Sequence, residues 1–163
     1  MTKSVPYIFQ VKFPGDIEYI PTIRKFVSEV LLANNFTPKF TYRSEIIIDE
    51  ICNNAVSFGC LSVDAGVELT CEVYEKHIEL MIKDEGGRTE DIKRLKLAVS
   101  KEAKGPFMEV GGQGSKKENL GLEIVRMLSE NVSVDIDKNN LTSIKVVKAR
   151  EDDSAADESE GIS

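Results

Sequence analysis

Glu50 and Asn54 lie four residues apart in the stretch Ile46–Gly59, IIIDEICNNAVSFG. On a helix this spacing stacks a carboxylate and a carboxamide one turn apart on one face. Mg²⁺ favours hard oxygen ligands, keeps several waters, and uses one or two protein groups together with substrate phosphates. An asparagine oxygen ligates such an ion without adding charge. A neighbouring glutamate can then orient or deprotonate a nucleophile, a role worth about 10²–10⁴ in rate. The same pair is also compatible with the solvated flank of an amphipathic helix. Helix interiors disfavour Asn by a few tenths of a kcal/mol, and a core face disfavours an unpaired carboxylate by more. Asp49, Glu50, Asn53 and Asn54 set among isoleucines therefore call for a compensating role.

Two further stretches bear on a ligand. Asp84-Glu85-Gly86-Gly87 follows an apolar run, and there an aspartate can accept from an amino group while glycines let backbone approach a flat molecule. A plain turn is the other reading. Gly121 is expected to open the helix LGLEIVRML, whose unpaired N–H groups would favour phosphate. The common phosphate fingerprints are absent, since GGQGSKK is neither G-x-x-x-x-G-K-[ST] nor G-x-G-x-x-G. There is no H-E-x-x-H, and one histidine, His77, argues against a histidine metal site or a catalytic triad.

The elements that must position these residues follow from periodicity. YIFQVKF (Tyr7–Phe13) alternates as a strand and ends at Pro14-Gly15. Asp16 can cap a helix with an apolar stripe of Tyr19, Ile20, Ile23, Phe26, Val27, Val30 and Leu31. After the break NNFTPKF, a second helix is expected over Thr41–Phe58, burying Ile47, Ile48, Ile51, Ala55 and Phe58. Val67–Tyr74 and His77–Lys83 form a hairpin across Glu75-Lys76. A short helix over Thr89–Ser100 and a glycine-rich connection, KGPFMEVGGQGSKKEN, precede the third firm helix. Long connections of this kind are usually functional or mobile. VSVDID and LTSIKVVK close the fold as a second hairpin across Lys138–Asn140. No internal repeat is visible. This order predicts an α+β, two-layer sandwich, with helices on one face of a mostly antiparallel sheet.

The 163 residues suit one domain, expected over residues 1–148. The net charge of −7 is unevenly spread, because EDDSAADESEGIS (151–163) holds six acids and no base. Residues 149–163 are expected to be a disordered acidic tail. No clustered basic face suggests nucleic acid, no apolar run is long enough to span a membrane, and MTKSVPYIFQVKFPG lacks the charged-then-apolar layout expected of a secretory signal. The cytoplasm is the expected location. Cys52, Cys60 and Cys71 make no C-x-x-C pair and read as small buried thiols.

Taken in order, EICNNA, DEGG and LGLEIV resemble the N, G1 and G2 boxes of the GHKL ATPase superfamily, and about Tyr7–Val147 resembles its Bergerat nucleotide-binding fold. The small size, and FPGDIEYIPTIRKFVSEV before the first box, look most like the bacterial anti-sigma-factor serine kinases. The resemblance implies ATP and Mg²⁺ as cofactors, Glu50 as general base and Asn54 as the metal ligand. It implies that Asp84 takes the adenine amino group, Gly86 and Gly87 keep backbone clear, and Thr142 lies near the adenine. A lid over about Lys101–Asn119 would bring Lys104, Gly114 and Asn119 to the phosphates, with Leu120, Gly121 and Leu122 at a phosphate-facing helix start. Arg24 is the implied partner-binding residue. The implied activity is transfer to a Ser/Thr of a STAS-type antagonist, with sequestration of a sigma factor by a homodimer. A nucleotide-gated binding module without transfer, or a detached ATP-binding domain of a histidine kinase, are the alternatives. Phe58 stands where the family commonly has His, Arg88 replaces the second G1 glycine, and Asn119 replaces the first glycine of G-x-G-L.

Overall fold

Alternating side chains at Tyr7–Pro14, Gly66–Val73, His77–Asp84, Asn131–Ile136 and Thr142–Ala149 build five strands, β1 to β5 in chain order. The computed structural model describes residues 6–59, 64–84, 113–138 and 141–151, with backbone alone at 58–59 and 113–120. The sheet order is β1-β2-β3-β5-β4, every pair antiparallel. Among the described residues three helices, α1 (Ile20–Ala33), α2 (Pro38–Gly59) and α3 (Gln113–Leu128), complete the layered α+β sandwich expected from the sequence. Expected segments at 89–100 and 101–112, and Cys60, lie outside the described residues.

Local chemistry sets the helix ends. The Asp16 side chain accepts from the Glu18 N–H at 3.0 Å, capping a short 3₁₀ turn that leads into α1. At the far end Asn35 adopts φ 68, and the Phe36 N–H reaches back to the Leu31 carbonyl at 3.1 Å, a Schellman closure. The second helix starts three residues before the expected Thr41. Thr37 Oγ1 accepts from the Phe40 N–H at 3.1 Å, and Pro38 occupies the first turn, where its missing N–H costs nothing.

The inward face of α2 holds it on the sheet. Ile47, Ile48 and Ile51 are fully buried against a layer that includes Leu69, Ile78, Leu80, Ile82, Ile144 and Val146. Each such side chain contributes about 1.5–3 kcal/mol on burial, which exceeds the helix-propensity penalty of an Asn several-fold. Cys52 and Cys71 belong to this core. Burial first, and the nearby Asp49 or Glu72 carboxylate second, push both thiols up to about 12, so they stay protonated. The opposite face of the sheet is polar, crossed by Lys12–Glu68 and Lys145–Glu79 pairs.

The packed chain extends past the expected boundary at 148. Lys148 is buried, donates from Nζ to the Leu128 carbonyl at the end of α3 (2.9 Å), and lies over the Phe40 ring. Arg150 stacks on Phe36 and donates to the Glu75 and Asn35 carbonyls at 2.9 and 3.0 Å. The Glu151 carboxylate accepts from Arg43 at 2.7 Å and Lys148 at 3.4 Å. Residues 149–151 are therefore structured, contrary to the expected tail boundary, because two buried or stacked cations pull them onto the helices. Residues 152–163 lie outside the described residues.

Burial raises the Glu151 pKa, but the Arg43 hydrogen bond and the Lys148 charge outweigh it, so the carboxyl sits below its ordinary 4.5. Its contribution is present above the unfolded-state value and lost as pH falls through the folded one. Glu151→Gln is expected to destabilise the fold by up to about 1 kcal/mol at pH 7. The difference in melting temperature should shrink as pH falls through and below 4.5; an equal deficit in acid would assign the loss to packing instead.

Candidate functional site

Two groups of side chains converge at one end of the sandwich. The first lies on the C-terminal half of α2. Asn54 is buried, and its Nδ2 donates to the Glu50 carbonyl at 2.8 Å, which leaves Oδ1 as the atom turned away from the helix. The Glu50 side chain is half-buried. Its pKa is raised by burial and, secondarily, by the Asp49 charge. A carboxylate so destabilised gains proton affinity, the direction a general base at neutral pH requires.

The second group ends the central strands. Asp84, the last residue of β3, is buried and stands directly opposite Thr142, the first residue of β5. Thr142 is 3% exposed, and its Oγ1 has no hydrogen-bond partner among the described residues. A buried hydroxyl without a partner is destabilising by about 1–3 kcal/mol, and at the mouth of a sheet it is a ready contact for a polar ligand. Gly66, at the same end of β2, follows α2 by a short connection, so the C-terminal half of α2 approaches this end of the sheet.

Gly121 requires a correction. It was expected to open a helix facing phosphate, but α3 begins at Gln113 and Gly121 lies in its interior. The run QGSKKEN, expected to be loop, contains Gln, Lys, Lys and Glu, all strong helix formers that carry the helix through Gly114 and Asn119. Leu120 is likewise helical, and the Leu122 side chain is in the core at 1% exposure. The glycine has a different use: a Cβ at Gly121 would overlap Glu50 Oε1 and stand 3.3 Å from Cδ. Its lack of a side chain is what lets α3 settle against the Glu50 carboxylate.

Arg24, expected to meet a partner, is engaged within the chain. Its Nη1 donates to Asp49 Oδ1 and Oδ2 at 2.9 and 2.8 Å, tying α1 to α2 beside Glu50. Asp49 was not among the expected site residues, and nothing in its spacing signals a contact across two helices. Gly86, Gly87, Lys104 and Arg88 lie outside the described residues, as does the side chain of Phe58. His77 starts β3, stacks on Tyr74 and hydrogen-bonds Glu79 at 3.0 Å, consistent with a structural place on the outer face. Among the described residues no cluster of three His, Cys, Asp or Glu could cage a metal, and no helix is long and apolar enough to cross a membrane.

The fold and the family match together define an ATPase domain of the GHKL type. The chain belongs to the histidine kinase-like ATPase domain family, whose model matches residues 13–148. Among solved structures, it is similar to a chain of the SiaB–SiaC complex from Pseudomonas aeruginosa, with TM-score 0.67 and 14% identity over 85% of this chain and 88% of that one. It is also similar to the RsbU and RsbW domains of Rv1364c from Mycobacterium tuberculosis, with TM-score 0.57 and 13% identity over 89% of this chain. The match spans 33% of that longer chain. At such identities these structures establish the shared fold. No curated protein sequence matches.

Thr142→Val keeps the shape and removes the orphan hydroxyl. It is expected to stabilise the unliganded protein by about 1 kcal/mol, a rise of about 2–4 °C in melting temperature. Thr41→Val, removing the other orphan hydroxyl at the N-terminal end of α2, should do the same and serves as a control remote from the site. A lower melting temperature for Thr142→Val would show that its hydroxyl is satisfied.

Proposed function

We propose that this chain binds Mg-ATP and transfers the γ-phosphate to a Ser or Thr of a partner protein, in the manner of the anti-sigma-factor kinases. The observation that carries this reading is the pairing of Asn54 and Glu50 on a buried helix, at the sheet end where Asp84 faces the unpartnered Thr142 hydroxyl. In the proposal Asp84 accepts from the adenine amino group and Thr142 supplies the adjacent polar contact. Asn54 Oδ1 would hold Mg²⁺, whose chemistry when bound is to bridge and neutralise the phosphates. That a single neutral protein ligand would hold the ion fits the donor set, since Mg²⁺ commonly completes its shell with water and phosphate.

Glu50 takes the proton of the attacking hydroxyl. Its raised pKa favours acceptance, and burial against α3 excludes water from one side. Positioning and charge neutralisation then supply most of the acceleration. Phosphate on a partner would add negative charge and change its affinity for this chain. A STAS-type antagonist as acceptor, a sigma factor as the alternate partner, homodimerisation and a cytoplasmic location complete the proposal. It rests on the sequence resemblance and on a solved neighbour that is itself a two-protein complex.

A second reading, a nucleotide-gated binding module without transfer, is favoured by one contact. The α3 backbone at Gly121 lies against the very atoms of Glu50 that would accept the proton.

Incubation with labelled ATP, Mg²⁺ and candidate STAS-type proteins separates the two. The kinase reading expects label on a partner Ser or Thr, lost by 10²-fold or more in Glu50→Ala while calorimetric ATP affinity persists. Asn54→Ala is expected to lose the Mg²⁺-dependent part of that affinity. Transfer should rise with pH as Glu50 ionises. Tight ATP binding with no label on any partner would leave the module, and full activity in Glu50→Ala would remove Glu50 as acceptor.

A further inference from the structure

Gly121 is buried in the interior of α3, where a glycine is destabilising relative to alanine because its backbone loses the most freedom on folding. Its backbone is helical, so no left-handed turn calls for it. Close approach by another group is the remaining reason. Beyond its own helix, the only described atoms within 4 Å of where a Cβ would stand are Oε1 and Cδ of Glu50. Gly66, by comparison, has nothing within that radius. The space beside Gly121 is therefore fitted to one carboxyl group. The second oxygen, Oε2, lies outside the radius, so the carboxylate is turned with Oε1 against α3 and Oε2 away from it. A mid-helix N–H is spent on the carbonyl four residues back, so the seat holds the carboxylate by shape alone.

We propose that Gly121 is a positioning residue for phosphate transfer: the room left by its missing side chain seats Glu50 Oε1 and presents Oε2 as the oxygen that accepts the proton. The proposal deepens, and rests on, the reading of Glu50 as the proton acceptor. In that step the acceptor's hydroxyl oxygen bonds the γ-phosphorus, the bond from that phosphorus to the ADP oxygen breaks, and the hydroxyl proton passes to Oε2. An added methyl at 121 would meet the free end of a flexible side chain, not backbone or core. The side chains that fix α2 and α3 in the core, Ile47, Ile48, Ile51, Leu122 and Val125, are not among its neighbours. Substitution therefore displaces the carboxylate, by about 1 Å to reach ordinary contact, and leaves the helices where they are. A misplacement of about that size can cost about 10²-fold in rate. The contact takes up one oxygen of Glu50 only, so it orients the group without blocking it.

The test compares wild type with Gly121→Ala, both as full chains. Free of nucleotide, Gly121→Ala should shift the Glu50 carboxyl ¹³C resonance, assigned by its absence from Glu50→Gln, and leave the Ile47, Ile48 and Ile51 methyls in place. Its melting temperature should stay within about 2 °C of wild type or rise. An unmoved Glu50 resonance would overturn the proposal. Shifted isoleucine methyls with a lower melting temperature, or a chain that fails to fold, would overturn it too, by making Gly121 a packing residue. With labelled ATP, Mg²⁺ and an acceptor protein, Gly121→Ala should lose about 10²-fold in kcat while KM for ATP stays within about twofold. In a Glu50→Asp chain, whose shorter side chain stops short of the seat, adding Gly121→Ala should cost no more than about twofold. Equal losses in the two backgrounds would overturn the proposal. A wild-type chain that transfers nothing would remove the reading of Glu50, and the nucleotide-free spectra would still decide the seat.

Discussion

The structure depends on the docking of α2. One helix must bury Ile47, Ile48 and Ile51 deeply enough to hold the helical layer on the sheet, and on its remaining surface it carries Asp49, Glu50 and Asn54. The apolar side chains supply far more free energy than the polar ones forfeit. The same burial that secures the helix also fixes the polar groups, since a core helix neither rotates nor slides without losing its packing. The raised proton affinity of Glu50 is thus a consequence of the fold.

The other elements constrain this helix from three sides. The sheet supports its inward face and ends in Asp84 and Thr142. The first helix crosses its exposed flank and neutralises Asp49. The third helix closes on Glu50, which it can do because Gly121 has no side chain. At the opposite end of β5, Lys148, Arg150 and Glu151 fasten the last strand to α2, α3 and two turns, so that the strand bearing Thr142 is held from its far end.

Much of this was legible in the sequence, and the misses share a cause. Period-2 alternation located all five strands, and the isoleucine stripe located α2, because both signals live within one element. Pro38 read as a breaker although it suits the first turn of a helix capped by Thr37. Gly114 and Asn119 read as part of a glycine-rich connection and Gly121 as a helix start, although the Lys and Glu residues among them favour helix. Glu50 and Asn54 stood out by type and spacing, and the N box was assigned to them by resemblance. The contacts of Arg24 with Asp49, of Gly121 with Glu50 and of Arg150 with Glu75 and Asn35 join residues far apart in the chain, and no local pattern encodes them. Family resemblance named Arg24 and Gly121 as important, and in the structure Arg24 also pairs with Asp49 while Gly121 lies against Glu50.

The central claim is that Asn54 and the Asp84–Thr142 strand ends grip an adenine nucleotide between them. Its most direct test is a resonance-resolved titration with ATP, in the presence and absence of Mg²⁺, observing the side-chain amide of Asn54 and the backbone amides of Asp84 and Thr142. The account predicts that all three move with Mg-ATP, and that Asn54 moves far less when Mg²⁺ is withheld. Saturating Mg-ATP that leaves the Asn54 amide and both strand ends where they were would contradict it.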